Sequence, residues 1–166
     1  MSSRDAAFAE YFAARADAMR GTAYLLCGDW HRAEDLVQTA FTKLYLAWDR
    51  LARLDALDAY TRQVVVRTFV SETRRGWFRR VTVGDLPVDR AAVPAGSPED
   101  RQVLLTALAR VPARQRAVLV LRYWEDLSVR ETAEALGCSE GTVKSQAARG
   151  LSALRGLVVE QREVAW

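Results

Sequence analysis

Cysteine is scarce: Cys27 and Cys138 lie far apart and share no repeated spacing. That excludes a disulfide framework and a thiolate zinc site, and leaves two reduced thiols in a cytoplasmic protein as the plain reading. Histidine is scarcer still, with His31 standing among Asp29, Trp30, Glu34 and Asp35. Acids at a helix start favour its dipole without any metal, so neither a metal nor a cofactor is called for. No apolar run is long enough to span a bilayer, and membrane insertion is not expected. Met1 to Asp5 leads straight into an amphipathic segment carrying Glu10, unlike a signal peptide. An excess of one charge is also missing, since 24 basic residues against 21 acidic leave a net +3. Distribution therefore matters more than total. Between Arg62 and Arg80, six arginines (Arg62, Arg67, Arg74, Arg75, Arg79 and Arg80) face only Glu72, and such a run suits a polyanion partner.

What is present is helical period. Half the residues are apolar, which fits a globular chain. Phe8, Tyr11, Phe12, Met19, Ala23 and Leu26 mark a first helix that Gly28 and Asp29 end. A second, from near Asp29, carries Val37, Ala40, Phe41, Leu44 and Trp48 on one stripe, opposite a polar stripe of Asp35, Gln38, Thr39 and Thr42. A third is expected from Asp58 as N-cap, with Val65, Val66, Phe69 and Val70 inward. From Val81 the character changes: Pro87, Pro94 and Pro98, with Gly84 and Gly96, break any helical period. The expectation is an all-α protein of two small helical domains, 6–80 and 99–160, joined by an extended linker over 81–98.

The second block holds the more specific pattern. Ser128 and Glu131 have capping-box spacing, Gly137 suits a left-handed turn, and Ser139 can cap the following helix. Helix, glycine turn and capped helix make a helix-turn-helix. Val143, Ala147, Leu151 and Leu154 would face inward. Ser139, Thr142, Lys144, Ser145, Gln146 and Arg149 would supply hydroxyls, an amide and cations to phosphates and base edges. Val111 to Arg116 opens an apolar helix (Val118, Leu119, Leu121) that would back this reader.

The segment PARQRAVLVLRYWEDLSVRETAEALGCSEGTVKSQAARGLSALR resembles region 4 of the extracytoplasmic-function (ECF) sigma factors. The shared features are the PxRQR opening, the LRY turn, the LSxxExAxxLG helix and the GTVKS start of the recognition helix. Gln146, where many such factors carry Arg, is similar to an actinobacterial subset called SigE-like. AEDLVQTAFTKLY resembles region 2.2, which in the family docks on the clamp coiled coil of the largest RNA polymerase subunit. Asp35, Leu36, Gln38 and Phe41 stand at the matching positions. The third helix is similar to regions 2.3 and 2.4, which open the proximal promoter element. There Tyr60, Gln63, Arg67, Arg74, Arg75 and Arg79 would meet DNA, cations on phosphates and aromatics under unstacked bases. Arg67 and Ser71 depart from the Asn and Asp usual there.

The resemblance implies a transcription initiation factor and not an enzyme. Its partners would be core RNA polymerase and promoter DNA, and an anti-sigma protein is an admissible third. Two other classes fit parts of the pattern. An autonomous helix-turn-helix regulator would bind a palindrome without polymerase. A metal-dependent nucleic-acid enzyme would use Asp29, Glu34 and Asp35.

Overall fold

The computed structural model describes residues 2–53, 55–75 and 96–164, and every element within them is helical. Trp77, Phe78, Arg79, Arg80 and the expected linker up to residue 95 lie outside the described residues.

Local sequence sets the helix ends. Helix α1, Ser3–Cys27, is capped by Ser2, whose hydroxyl accepts from the Asp5 amide at 3.1 Å. It stops at Gly28, which takes a φ of 72° that a side chain would resist. Asp29 at once caps α2, Trp30–Leu46, by accepting from the amides of His31 and Arg32. A short helix α3, Trp48–Arg53, follows, so Trp48 is buried from its own element and not from the α2 stripe. Helix α4, Leu57–Arg74, begins after Ala56 with no side-chain cap. Asp58 is therefore not the N-cap expected from sequence. It lies in the first turn and binds outward, pairing with Arg15 at 3.1 Å and accepting from the Tyr11 hydroxyl.

The second block comprises α5, Pro98–Arg110, α6, Ala113–Leu119, a π-helical turn over Val120–Trp124, α7, Val129–Leu136, and α8, Glu140–Val164. Ser97 caps α5, with Pro98 at its first position where a missing amide hydrogen is harmless. The residues after Arg155 continue α8 to Val164. Arg110–Glu160 and Arg162–Asp100 fasten that end to α5 at 3.5 and 3.3 Å.

The two blocks share one apolar core. Met19, Ala23 and Leu26 of α1, Leu36, Val37, Phe41 and Leu44 of α2, and Val65, Val66 and Phe69 of α4 form one cluster with Leu105, Val111, Leu119, Leu121 and Ala135 of the second block. A smaller cluster of Val118, Ala133 and Val143 sits inside the helix-turn-helix. Phe8, Tyr11 and Phe12 pack edge to face on Phe41 and Trp48 at the rim of the main core, and Tyr45 on Phe8, with Phe12 and Phe41 centroids 4.9 Å apart.

Candidate nucleic-acid interface

The reader is built as its residue types require. Ser128 accepts from the Glu131 amide at 3.0 Å while the Glu131 carboxylate accepts from the Ser128 amide at 3.1 Å, a complete capping box. Those hydrogen bonds hold the Glu131 carboxyl below its ordinary value. Gly137 turns the chain with φ 67°, and Ser139 accepts from the Thr142 amide at 3.1 Å to start α8. Val143 is fully buried behind this helix, and Lys144, Ser145 and Arg149 project into solvent with Ser139. Thr142 and Gln146 do not: both are half-buried and line a cleft of about 160 Å³ against α4.

On α4 that cleft is lined by Arg67, Val70, Ser71 and Arg74, and Arg114 of α6 also borders it. The proximal-element and upstream-element candidates thus face each other. Arg67 does more than face α7: its Nε donates to the Ala135 carbonyl at 2.9 Å and its Nη2 to the Glu134 carbonyl at 3.0 Å. A guanidinium on the last carbonyls of α7 sits at the negative end of the helix dipole, where such a cation is stabilised. Arg74 and Arg75 are exposed, Tyr60 and Gln63 are half-buried, and Arg79 lies outside the described residues.

On α2 the outward face reads Asp35, Gln38, Thr42 and Leu46, all exposed. Leu36 and Phe41, named with Asp35 and Gln38 for the polymerase face, lie in the core, only 1% and 3% exposed. One residue on from Asp35 is about 100° round the helix, which turns Leu36 inward. Phe41 is held by Phe8, Tyr11 and Phe12. Its remaining edge lines a shallow groove with Gln38, Thr42 and Tyr45. Leu46, 77% exposed, was missed. Its signal was in the sequence, an apolar residue four places after Thr42 on a polar stripe.

Two further residues have no local signature. Arg116 is buried, and among the described residues it pairs with no carboxylate. It donates to the carbonyls of Leu26, at the end of α1, and of Ala109 and Val111, at the end of α5. Burial pushes its pKa down to about 10, so it stays charged at neutral pH. Glu125, just after the π-turn, accepts from the Thr22 hydroxyl and from Arg62 Nε at 3.3 Å. The acids at the start of α2 are also engaged, Asp29 as the cap and Glu34 with Arg20 at 2.7 Å. Among the described residues no group of three or more ligating side chains could hold a metal, and no helix is long and apolar enough to cross a membrane.

Comparison with known proteins places these two halves. The family model for Sigma-70 region 2 matches residues 12–79, and that for Sigma-70, region 4, matches residues 101–154. The RNA polymerase sigma-E factor of Streptomyces avermitilis is 39% identical over 153 residues, covering 89% of this chain and 83% of that protein. Its counterpart in Streptomyces coelicolor is 38% identical over 148 residues, covering 89% and 84%. Among solved structures, the sigma factor RpoE of Bartonella quintana, in complex with the anti-sigma factor NepR, has a similar fold. Its TM-score is 0.71 at 24% identity, over 91% of this chain and 96% of that one.

Proposed function

The chain belongs to the ECF sigma factors, in the SigE-like group found in actinobacteria, and we propose from that premise how its residues share the work. As a sigma factor it binds core RNA polymerase and directs it to promoters, using a region 2 half and a region 4 half. We take 6–80 and 99–160 as the two working modules and 81–98 as the tether. The tether makes the second DNA contact intramolecular.

In this reading Ser139, Thr142, Lys144, Ser145, Gln146 and Arg149 contact the upstream element. Tyr60, Gln63, Arg67, Arg74, Arg75 and Arg79 serve the proximal one. Asp35 and Gln38, extended by Thr42 and Leu46, form the polymerase face, with apolar Leu46 supplying buried area and the polar groups setting register. The chain works by binding, in the cytoplasm, and carries out no covalent chemistry. An anti-sigma protein is a fitting regulator, since the Bartonella relative was solved with one.

One observation carries this reading: a capped helix-turn-helix and a separate exposed polar face on α2 lie within the two matched regions of one chain. Run-off transcription with purified core polymerase tests it. The full chain should give transcripts from a defined set of start sites. Asp35→Lys should lose polymerase capture while keeping its helical signal. Undiminished capture would remove α2 from the polymerase interface, and an absence of specific transcripts from the native chain would overturn the reading as a whole.

A further inference from the structure

The cleft between α4 and α8 collects positive charge with nothing to balance it. Arg67 and Arg74 of α4 and Arg114 of α6 line it, and no carboxylate is among the side chains that border it. Among the described residues Arg74 and Arg114 enter no ion pair or hydrogen bond. Arg67 commits Nε and Nη2 to the Ala135 and Glu134 carbonyls, which fixes its guanidinium plane and leaves Nη1 free to donate. Cations held round a small space repel one another, and an anion placed there is attracted by all of them. Neutral donors stand among them. Ser71 and Gln146 are half-buried at the same cleft, and among the described residues neither the hydroxyl nor the amide has a partner. Val70, Val118 and Leu136 also border it, and beside apolar side chains a charged hydrogen bond is stronger than in open water.

Spacing on α4 accounts for the first of these groups. Arg67, Ser71 and Arg74 follow one another at helical intervals and share one face. The departures from the family pattern on α4 fall on this face, with Arg67 in place of asparagine and Ser71 in place of aspartate. Both make the cleft more positive, and an aspartate at position 71 would have put a carboxylate into it. The space is about 160 Å³, about five water volumes at about 30 Å³ each. A phosphorus with its tetrahedron of oxygens matches that space, whereas a diphosphate or triphosphate exceeds it.

We propose that this cleft is a binding site for a single phosphate group, held by Arg67, Arg74 and Arg114 with Ser71 and Gln146 as neutral donors. A guanidinium meets phosphate oxygens through paired N–H donors, and a tetrahedral anion accepts from several directions at once. Side chains arriving from α4, α6 and α8 supply those directions. Free inorganic phosphate and the phosphate of a mononucleotide share this chemistry, and the same donors recognise both. The site takes its anion with no DNA present, so the inference goes beyond the promoter reading.

Isothermal titration of the full chain with inorganic phosphate, in chloride buffer without DNA or polymerase, tests the site. One phosphate should bind per chain with a Kd of about 1 mM or below. Ser71→Asp, which puts a carboxylate among the arginines, and Arg114→Gln, which removes an exposed cation, should each weaken binding about tenfold or more. Arg53→Gln takes an equal charge from the exposed face of α3 and should change the affinity by less than about twofold. Phosphate should also raise the melting temperature of the native chain and leave that of Ser71→Asp unmoved. Absence of saturable binding overturns the proposal. So does equal weakening by Arg53→Gln, because general attraction to a basic surface would then account for the anion. Should Ser71→Asp lose its helical signal, Arg114→Gln decides: weaker binding supports the site and unchanged affinity refutes it. Adenosine 5′-monophosphate in the same titration separates the sources. Tighter binding than phosphate assigns the site to a nucleotide's phosphate, and equal or weaker binding assigns it to the free anion. Neither DNA nor polymerase enters these measurements, so their failure leaves the promoter reading standing, and an absence of specific transcripts leaves the phosphate site standing.

Discussion

Arg116 and Leu26 stand 90 positions apart, yet the Arg116 guanidinium donates directly to the Leu26 carbonyl and joins the C-terminal ends of α1 and α5 through one side chain. Carbonyls at two helix ends stand in for the carboxylate that a buried cation ordinarily needs. Arg116→Met keeps the apolar stem and removes every one of these hydrogen bonds. Urea unfolding of the full chain should show a loss of about 1–3 kcal/mol, the cost of leaving buried carbonyls unpaired. Equal stability would mean that water replaces the guanidinium at no cost.

The two thiols should differ in reactivity. Cys27 is buried, its thiol donating to the Asp29 carbonyl at 3.2 Å, while Cys138 is half-exposed beside the cleft. Burial pushes the Cys27 pKa from 9.0 up to about 12. At pH 8 a thiol reagent should label Cys138 alone, and Cys27 only on unfolding. The folded state holds a proton that the unfolded chain releases near pH 9. This contribution to stability is complete below that pH and is lost as pH climbs toward about 12. Denaturant midpoints measured from pH 8 to 11 should fall, and Cys27→Ala should flatten that fall.

Glycines on α8 should respond in opposite directions to alanine. A methyl at Gly156 would meet nothing within 4 Å, so Gly156→Ala should stabilise by about 0.5–1 kcal/mol through helix propensity. At Gly150 it would stand 3.1 Å from Leu119 and 3.3 Å from the Gln115 Cβ. Leu119 is buried and would have to shift by a few tenths of an ångström together with Gln115, so Gly150→Ala should destabilise by about 1 kcal/mol or more despite the better propensity. Thermal melts of the two variants check the signs.

Gly137 carries two demands at once. Its φ is +67°, and a Cβ there would lie 3.3 Å from Arg67 Nη2. Gly137→Ala should cost about 1–2 kcal/mol in backbone strain and also loosen Arg67 from α7. Adding Arg67→Ala to it should therefore cost less than the sum of the two single changes in urea unfolding; simple additivity would show that the turn and the arginine are independent.

Reader contacts are testable in the holoenzyme. Arg149 is exposed on α8, and Arg149→Ala should lose about 1–3 kcal/mol of promoter affinity in a gel shift if it makes a base contact. Unaltered binding would strike it from the reader.

Legibility from sequence followed contact distance. The capping box of Ser128 and Glu131, the turn at Gly137 and the stripe of Val37, Ala40 and Leu44 depend on neighbours within a few residues, and all could be read directly. Asp58 misled because an acid near a helix start serves as well in the first turn as at the cap, and its partners Tyr11 and Arg15 come from another helix. Leu36 and Phe41 were named for the polymerase face by family position, while helical period had already set Phe41 on the apolar stripe, and both lie in the core. The contacts of Glu125 span 103 and 63 residues. No periodicity encodes them, because they follow from how the halves pack and not from how each helix forms.

Helix α8 is one unbroken rod of 25 residues, about 37 Å long, with Thr142 to Arg149 near one end and Glu160 and Arg162 near the other. Its far end meets α5 through two ion pairs, Arg110–Glu160 and Arg162–Asp100, whose side chains are all more than half exposed. Salt should therefore loosen that end of the rod while leaving the buried Val143 end in place.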